Sequence, residues 1–552
     1  MKRSVLRDIW SCFGKSIREF EEYKGKLLLS SIVTLLIQIS GLYETFVLAG
    51  ITDSLYKRNG KSFYVYLLIA VIVGLVTILL DLFGYWLDVI IQQQVLMKLK
   101  LAAINRLCKR SEAVASYSSG EQNSIVQEDC NALVSFVFEI ISYAYSIGVI
   151  LYVGATLIWI SPKWAGIFAI VQIAVGIIQR RGVKKIEECS RDRLASENEF
   201  QKYLNEELVE MHAIRYENLG DDVVSFVKKN LSTVMKKRFR QNRCAVGISS
   251  MSEGVMYIGK MLLFFGMGYE VLHGRVTMRE YIVFYSYMTT FTGNFMSVIQ
   301  MMTSLQPMLI NVRRLLGVLH TEPLEAEEYQ RVGTLELQSV EKKFGEKVLF
   351  SNTDVVLDFR KNYALLGANG TGKTTFAKML MGEEGVNGGT ILLDGMEKEI
   401  IPREKMTGIR YFAAKPCVFS GMTLRENFLL GISNKQIQDE TLCRICNDFL
   451  FFEDIRQMDN GLETVLGKDV SLSSGQMKKV ELIRAALSDA DVIVLDEPMA
   501  NLDEEFRKRF KEIYDKYFKQ RKVLILEHDE KRVAYVDEIL WIKNGLICSR
   551  SV

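Results

Sequence analysis

The chain carries almost no excess of charge. Its 69 Lys and Arg are balanced by 66 Asp and Glu, leaving +3 over 552 residues. No basic face is implied, so a nucleic-acid partner is not expected. A disulfide framework is also missing. The nine cysteines are scattered, and Cys443 and Cys446 form a C-x-x-C in a helical run with no second pair. That spacing argues against metal binding and suits a reducing compartment. No cleavable signal peptide is expected: residues 1–22 are charged and weakly amphipathic, without a small-residue cleavage site. They read as a helix lying on the cytoplasmic membrane surface. Fewer than about thirty residues precede the first apolar run, whereas a domain needs at least ~50, so no N-terminal peptidase or receptor domain is expected.

What the chain does have is apolar residues, unevenly spread. They make up 49% of the sequence, with a mean hydropathy of +0.10. That average falls between soluble and all-membrane proteins, and the length suits two or three domains. Six segments meet the requirement of ~20 apolar residues for a spanning helix, at 27–50, 64–90, 133–158, 164–182, 246–272 and 281–305. Segments two to five run on into polar helical stretches such as Gln92 to Arg110 and Arg181 to Glu207. These are too polar for lipid and are expected to project into the cytoplasm. Lys98, Lys100, Arg106, Arg180, Arg181 and Lys185 cluster at those ends, which places them and both termini on the cytoplasmic side. Lys57, Arg58 and Lys61 oppose this but are outnumbered.

Pro307 and Arg313-Arg314 are expected to close the sixth span, and the acidic stretch 316–332 suits a linker. Beyond Leu335, short β-rich runs alternate with helical ones: Val348–Phe350, Tyr363–Leu366, Thr390–Leu393, Val492–Leu495 and Val523–Leu526. This predicts an α/β domain with a mainly parallel sheet. The expected organisation is an interfacial helix at 1–22, a membrane α-helical domain of six spans at 23–315, a linker at 316–332 and an α/β P-loop domain at 333–552.

The α/β half carries Gly367-Ala368-Asn369-Gly370-Thr371-Gly372-Lys373-Thr374, a G-x-x-x-x-G-K-[ST] loop between a strand and a helix that opens with Thr375. Glycines let backbone N–H groups approach phosphate oxygens, and the helix dipole favours negative charge. Lys373 is expected to reach the β- and γ-phosphates, and Thr374 to ligate Mg²⁺. Downstream, the apolar run Asp491 to Leu495 ends in Asp496-Glu497. A lone Asp-Glu pair after a strand is commonly a helix cap. Paired with a phosphate loop, Asp496 is placed to hold Mg²⁺ and Glu497 to polarise the attacking water.

Between them stands Leu472-Ser473-Ser474-Gly475-Gln476. This is close to the L-S-G-G-Q signature, and here the chain resembles the ABC transporter superfamily. The resemblance extends over the whole chain. Asn501-Leu502-Asp503 is similar to the D-loop, His528 to the switch histidine that contacts the γ-phosphate, and Phe344 to the aromatic ring that stacks on adenine. The resemblance implies ATP and Mg²⁺ as cofactors and a head-to-tail dimer. In such a dimer, Ser473, Gly475 and Gln476 of one chain face the ATP held by the other. There are departures. Aligning Tyr411-Phe412-Ala413-Ala414-Lys415-Pro416 with the family tract puts Ala414 where a glutamine is usual. Ser474 replaces a glycine, and Glu527 precedes the histidine where a small hydroxyl residue is usual.

Six spans before one cassette resemble an exporter-type half-transporter. Ser118 to Gln122 with Asp129 looks like the segment around the first coupling helix, and Asn205 to Glu217 like the second intracellular loop. The spans carry Glu44, Asp81, Glu139 and Glu253. Intramembrane carboxylates cost at least ~2.5 kcal/mol each and should face protein or a wet cavity. Interhelical pairing, for instance of Glu253 with Lys260, is the plainer explanation for any one of them. Together they suggest a negative cavity for a cationic or amphipathic substrate such as a peptide. The expected partners are a second half-transporter, the lipid bilayer and the transported substrate. The expected location is the plasma membrane, as a multi-pass protein. A lipid flippase, an importer, or an ATP-dependent sensor without transport are the competing readings.

Overall fold

A computed structural model of the chain describes residues 3–109, 119–209, 211–320, 331–345, 347–382, 384–397, 408–433 and 435–551. It divides into two compact units. One is Met1–Leu107 with Tyr117–His320, and the other is Cys108–Ser116 with Thr321–Val552.

The first unit is helical. α1 (Arg3–Ser16) passes through a 3₁₀ turn, Ile17–Tyr23, into α2 (Lys24–Tyr56). α3 (Gly60–Lys109), α4 (Cys130–Ile160), α5 (Pro162–Val209), α6 (Gly220–Leu272) and α7 (Met278–Leu319) follow. Each expected apolar segment falls within one of α2 to α7. Among the described residues, five helical stretches are long and apolar enough to cross a membrane. α7 falls short of that mark because Ser286, Thr290, Thr292, Asn294 and Ser297 dilute its apolar run. These side chains are not orphaned: Thr290, Thr292, Asn294 and Ser297 each donate to the carbonyl four residues back. α5 packs along α6, and α7 packs along both α4 and α2.

Two features depart from the sequence expectation. Pro307 does not close the last span, because α7 continues to Leu319. An internal proline costs roughly 3 kcal/mol. Leu305, Val312 and Leu315 on that stretch are fully buried, and their packing outweighs the penalty. α4 is preceded by a short helix, Ser119–Ser124, and a π turn, Ile125–Asp129. In the turn, the fully buried Asp129 is held by Arg314, whose Nε and Nη2 donate at 2.6 and 2.8 Å. The segment just before it, resembling a first coupling helix, lies partly outside the described residues, as does part of 205–217.

Among the described residues, the second unit holds two sheets. β1 (Thr334–Phe344), β2 (Lys347–Asp358), β4 (Gly388–Leu393) and β5 (Met396–Glu397) pair antiparallel in the order β2-β1-β4-β5. The second sheet has the order β10-β9-β3-β8-β7-β6. Its strands are β3 (Tyr363–Leu366), β6 (Ile409–Phe412), β7 (Val492–Asp496), β8 (Lys522–Glu527), β9 (Glu538–Lys543) and β10 (Leu546–Ser551). β9, β3, β8, β7 and β6 run parallel, and β10 turns back beside β9. β3 and β7 are buried along their whole length, so they read as unbroken apolar runs rather than alternating ones. Both stop at the same edge of the sheet, which is where parallel sheets gather ligands.

Candidate functional site

The glycine loop leaves β3 at Leu366 and enters α8 (Lys373–Leu380). Gly370 and Gly372 hold φ of +79° and +110°, where a side chain is strained. A Cβ on Gly372 would also stand 3.1 Å from the Phe350 ring. The Thr371 hydroxyl donates to the Ala368 carbonyl at 2.8 Å and ties the loop to itself. Lys373 is 6% exposed and donates through Nζ to the Gly367 and Ala368 carbonyls at 2.7 and 3.3 Å. Its ammonium therefore folds back over the loop. The first amides of α8 have no partners within the helix and point the same way.

Asp496 ends β7 at 1% exposure. Its Oδ2 accepts from the Thr374 hydroxyl at 3.2 Å and from the Tyr411 hydroxyl at 2.7 Å. Burial pushes this carboxyl above the usual range, while those two hydrogen bonds and the nearby Lys478 hold it down. Glu497 follows in the left-handed region, with φ of +44°. Its amide donates to the Leu526 carbonyl at 2.9 Å. A non-glycine residue in this region is strained, and such strain collects at functional sites.

A cavity of about 400 Å³ brings together Phe344, Asn369, Gly370, Gly372, Lys373, Thr374, Thr375 and Glu497, with Lys347 and Leu349 completing its wall. Phe344 is 47% exposed, and the Lys342 ammonium lies 4.8 Å from its ring centroid. His528 follows β8, and its Nδ1 lies 2.7 Å from Glu527 Oε1. The cradle fits a triphosphate: glycines stand where a Cβ would collide, helix amides are free, and one ammonium is at hand. Thr374 and Asp496 offer adjacent hard oxygens, the donor set Mg²⁺ takes alongside phosphate oxygens.

The remaining expected residues stand elsewhere on the chain. Ser473 caps α9 (Ser474–Leu487), accepting from the Gln476 amide at 3.2 Å, and Gln476 Oε1 accepts from the Ser473 amide at 2.8 Å. This reciprocal capping box fixes the start of the helix. Gln476 also donates to Asp454 at 2.8 Å. A Cβ on Gly475 would stand 2.8 Å from the Asn501 carbonyl oxygen, so that approach requires glycine. Asp503 caps α10 (Glu504–Tyr517) by accepting from the Phe506 amide at 2.7 Å. None of Ser473, Gly475, Gln476 or Asp503 lines the phosphate cavity of its own chain.

Sequence reasoning missed three contributors. Tyr411 reads as an ordinary strand aromatic, and nothing in the pattern points its hydroxyl at Asp496. Lys478 and Glu481 did leave a signal, two charges three residues apart on an otherwise buried helix face. Their side chains are 2% and 3% exposed and form a 3.0 Å ion pair. Lys478 also donates to the carbonyls of Ala413 at 2.9 Å and Asp496 at 3.2 Å.

Among the described residues, the cavity that Glu253 lines does not include Glu44, Asp81 or Glu139. Glu253 lines a cavity of about 420 Å³ with Gln179, Ser252, Tyr257, Lys260 and Thr292. Glu139 accepts from the Tyr143 hydroxyl at 3.2 Å, and that hydroxyl also meets Ser304 at 2.8 Å. Glu44 and Asp81 are exposed on α2 and α3.

Comparison with known proteins agrees with this architecture. The profile of a family described as "ABC transporter transmembrane region" matches residues 27–295, and that of a family described as "ABC transporter" matches residues 350–500. An ATP-dependent lipid A-core flippase of Salmonella typhimurium is 25% identical over 81% of this chain and 75% of its own length. A lactococcin transport/processing ATP-binding protein of Lactococcus lactis is 29% identical over 52% of this chain and 40% of its own length. A transport/processing ATP-binding protein of Streptococcus pneumoniae is 28% identical over 53% of this chain and 41% of its own length. The chain thus spans about two fifths of the transport/processing relatives and three quarters of the flippase.

Proposed function

Because the chain belongs to the ABC transporter family, in its exporter-type half-transporter form, we propose that it is an ATP-driven exporter of the plasma membrane that works as a dimer. The carrying observation is that the nucleotide site is incomplete. Thr374 and Glu497 line one cavity, with Asp496 accepting a hydrogen bond from Thr374, whereas Ser473 and Gly475 stand on the same chain and do not line it. A second chain, an identical copy in the favoured reading, supplies the missing signature to each ATP. Lys373 and the loop amides hold the phosphates. Thr374 and Asp496 hold Mg²⁺, Phe344 stacks on the base, and Glu497 orients the attacking water. Both termini lie on the cytoplasmic side.

The substrate is a cationic or amphipathic compound, a peptide in the first instance. The support is the polar cavity around Glu253 and the names of the transport/processing relatives. A second reading, an amphipathic lipid, is favoured by the flippase, which matches four fifths of this chain. Reconstitution into inverted vesicles separates these. ATP-dependent uptake of a labelled cationic peptide, lost in Glu253→Gln, supports the first. Lipid-stimulated ATPase activity with no peptide uptake supports the second. ATP hydrolysis that moves neither, as in a sensor, overturns both.

A further inference from the structure

Glu527 is the last residue of β8 and is completely buried. Its Oε1 accepts from the His528 backbone amide at 2.9 Å and lies 2.7 Å from His528 Nδ1. Its Oε2 is buried without a hydrogen-bond partner. The His528 side chain is 42% exposed, so the far edge of the ring, with Nε2, is open. A carboxylate is an odd neighbour at the end of a buried strand, because desolvation penalises its charge. It is less odd if the two side chains act as one unit.

We propose that Glu527 is a positioning residue that fixes the His528 ring with Nε2 outward and shares a proton with Nδ1, so that Nε2–H serves as a hydrogen-bond donor to the γ-phosphate. The inference rests on the ATPase reading above. Its proton balance is simple. With two protons, the pair is either neutral glutamic acid and neutral imidazole or carboxylate and imidazolium, and Nε2 carries hydrogen in both. Loss of one proton to solvent leaves the other between Oε1 and Nδ1. Nε2 is then a bare lone pair, which repels phosphate.

The surroundings favour the two-proton pair. Burial pushes the Glu527 carboxyl up, and Glu497 at the end of β7 pushes it further, while His528 and Arg532 hold it down. Arg532 Nη1 is 3.6 Å from Oε1 and its Nε is 3.6 Å from Asp529. Tyr535, whose hydroxyl is buried without a hydrogen-bond partner, adds no charge. The orphaned Oε2 is also less costly as the carbonyl oxygen of an acid than as half of a carboxylate.

The test compares full-length wild type, Glu527→Gln, Glu527→Ala and His528→Gln. The readout is affinity for a non-hydrolysable ATP analogue divided by affinity for ADP, taken from pH 7 to 9, above the last phosphate titration at about 6. Wild type should lose preference for the analogue as pH rises. In Glu527→Gln the His528 amide holds the carboxamide oxygen in place, Nδ1–H is locked and Nε2 is bare, the wrong-tautomer case. Its ratio should fall about tenfold below wild type at pH 8, with the gap narrowing toward pH 7. Glu527→Ala frees the ring to present either nitrogen and should lie between the two. His528→Gln should be flat with pH. A merely structural Glu527 predicts the reverse order, with the isosteric glutamine nearer wild type than alanine. That order, or a wild-type ratio independent of pH, overturns the proposal. If wild type hydrolyses no ATP, the exporter reading falls, and the ratio still decides the pair.

Discussion

Lys478 and Glu481 form an ion pair sealed from solvent, and the pair clasps both ends of one loop. Lys478 donates to the carbonyl of Ala413, and Glu481 Oε1 accepts from the amide of Cys417 at 3.3 Å. The segment from Ala413 to Cys417 is thereby fastened to α9 and, through the Asp496 carbonyl, to β7. Lys478→Met leaves a buried carboxylate without its cation and should cost about 3–5 kcal/mol. The double replacement Lys478→Met with Glu481→Leu should recover most of that. Thermal denaturation of the purified protein checks both. A double variant as unstable as the sum of the singles would refute the pairing.

Arg314 reaches from α7 to the π turn before α4, where its two bonds to Asp129 and a third to Ser124 at 3.0 Å hold a single-residue widening of the helix. π turns recur at functional positions and persist only where something holds them. Arg314→Met should destabilise the helical unit by about 3 kcal/mol, because Asp129 is fully buried. Arg314→Lys should fall in between, keeping charge but losing the two-pronged contact. Thermal unfolding followed by far-UV circular dichroism measures this, and equal stability of all three proteins would count against it.

Glu497→Gln should remove the carboxylate proposed above to orient the attacking water while leaving the phosphate cradle intact. ATP hydrolysis should drop by about 10²–10⁴-fold. ATP binding should survive, and the protein should accumulate as an ATP-held dimer measurable by light scattering. Retained turnover would move the catalytic role to another residue.

Acid stability depends in part on Asp489. Ser433 donates to it through its hydroxyl and, at 3.1 Å, its amide, and Arg410 donates at 2.8 Å. Ser433 foremost, and Arg410 with it, hold this carboxyl below the usual range. A depressed carboxyl stabilises the fold above its unfolded value of about 3.9, and that gain fades as pH falls through the folded value. Asp489→Asn should therefore be less stable than wild type at neutral pH, and the gap should close below about pH 4. Denaturation midpoints from pH 3 to 7 test the sign. A gap that widens in acid would contradict it.

The nucleotide half was legible wherever chemistry is local. A phosphate loop is written in consecutive residues, so Gly367 to Thr374 and the fully buried β3 and β7 could be read directly. The signature was legible as a motif. Its separation from the cavity of its own chain was implied by the family resemblance alone and not by the residues, since that depends on how α9 and β7 are arranged. Tyr411 and the inward turn of Glu527 were invisible for a related reason: sequence gives a residue's neighbours along a strand, not the atom its side chain ends on. In the membrane half, lengths and apolar runs located the helices. The break expected at Pro307 failed because tertiary packing of Leu305, Val312 and Leu315 overrode a local rule. The carboxylates stayed illegible because helix rotation decides whether Glu253 and Glu44 share a space.

The cap at Ser473 has a last implication. A serine hydroxyl has two lone pairs and one proton. Helix capping consumes a lone pair, for the Gln476 amide, and leaves the proton unspent. One oxygen can thus anchor its own helix and, with its hydrogen, greet a phosphate on another chain. Alanine at this position would erase both services together, and so would confuse them. Threonine, with the same hydroxyl and the same capping habit, should keep both. In the dimer proposed above, the start of α9 is therefore a place where keeping the fold and recognising the nucleotide are written in a single atom.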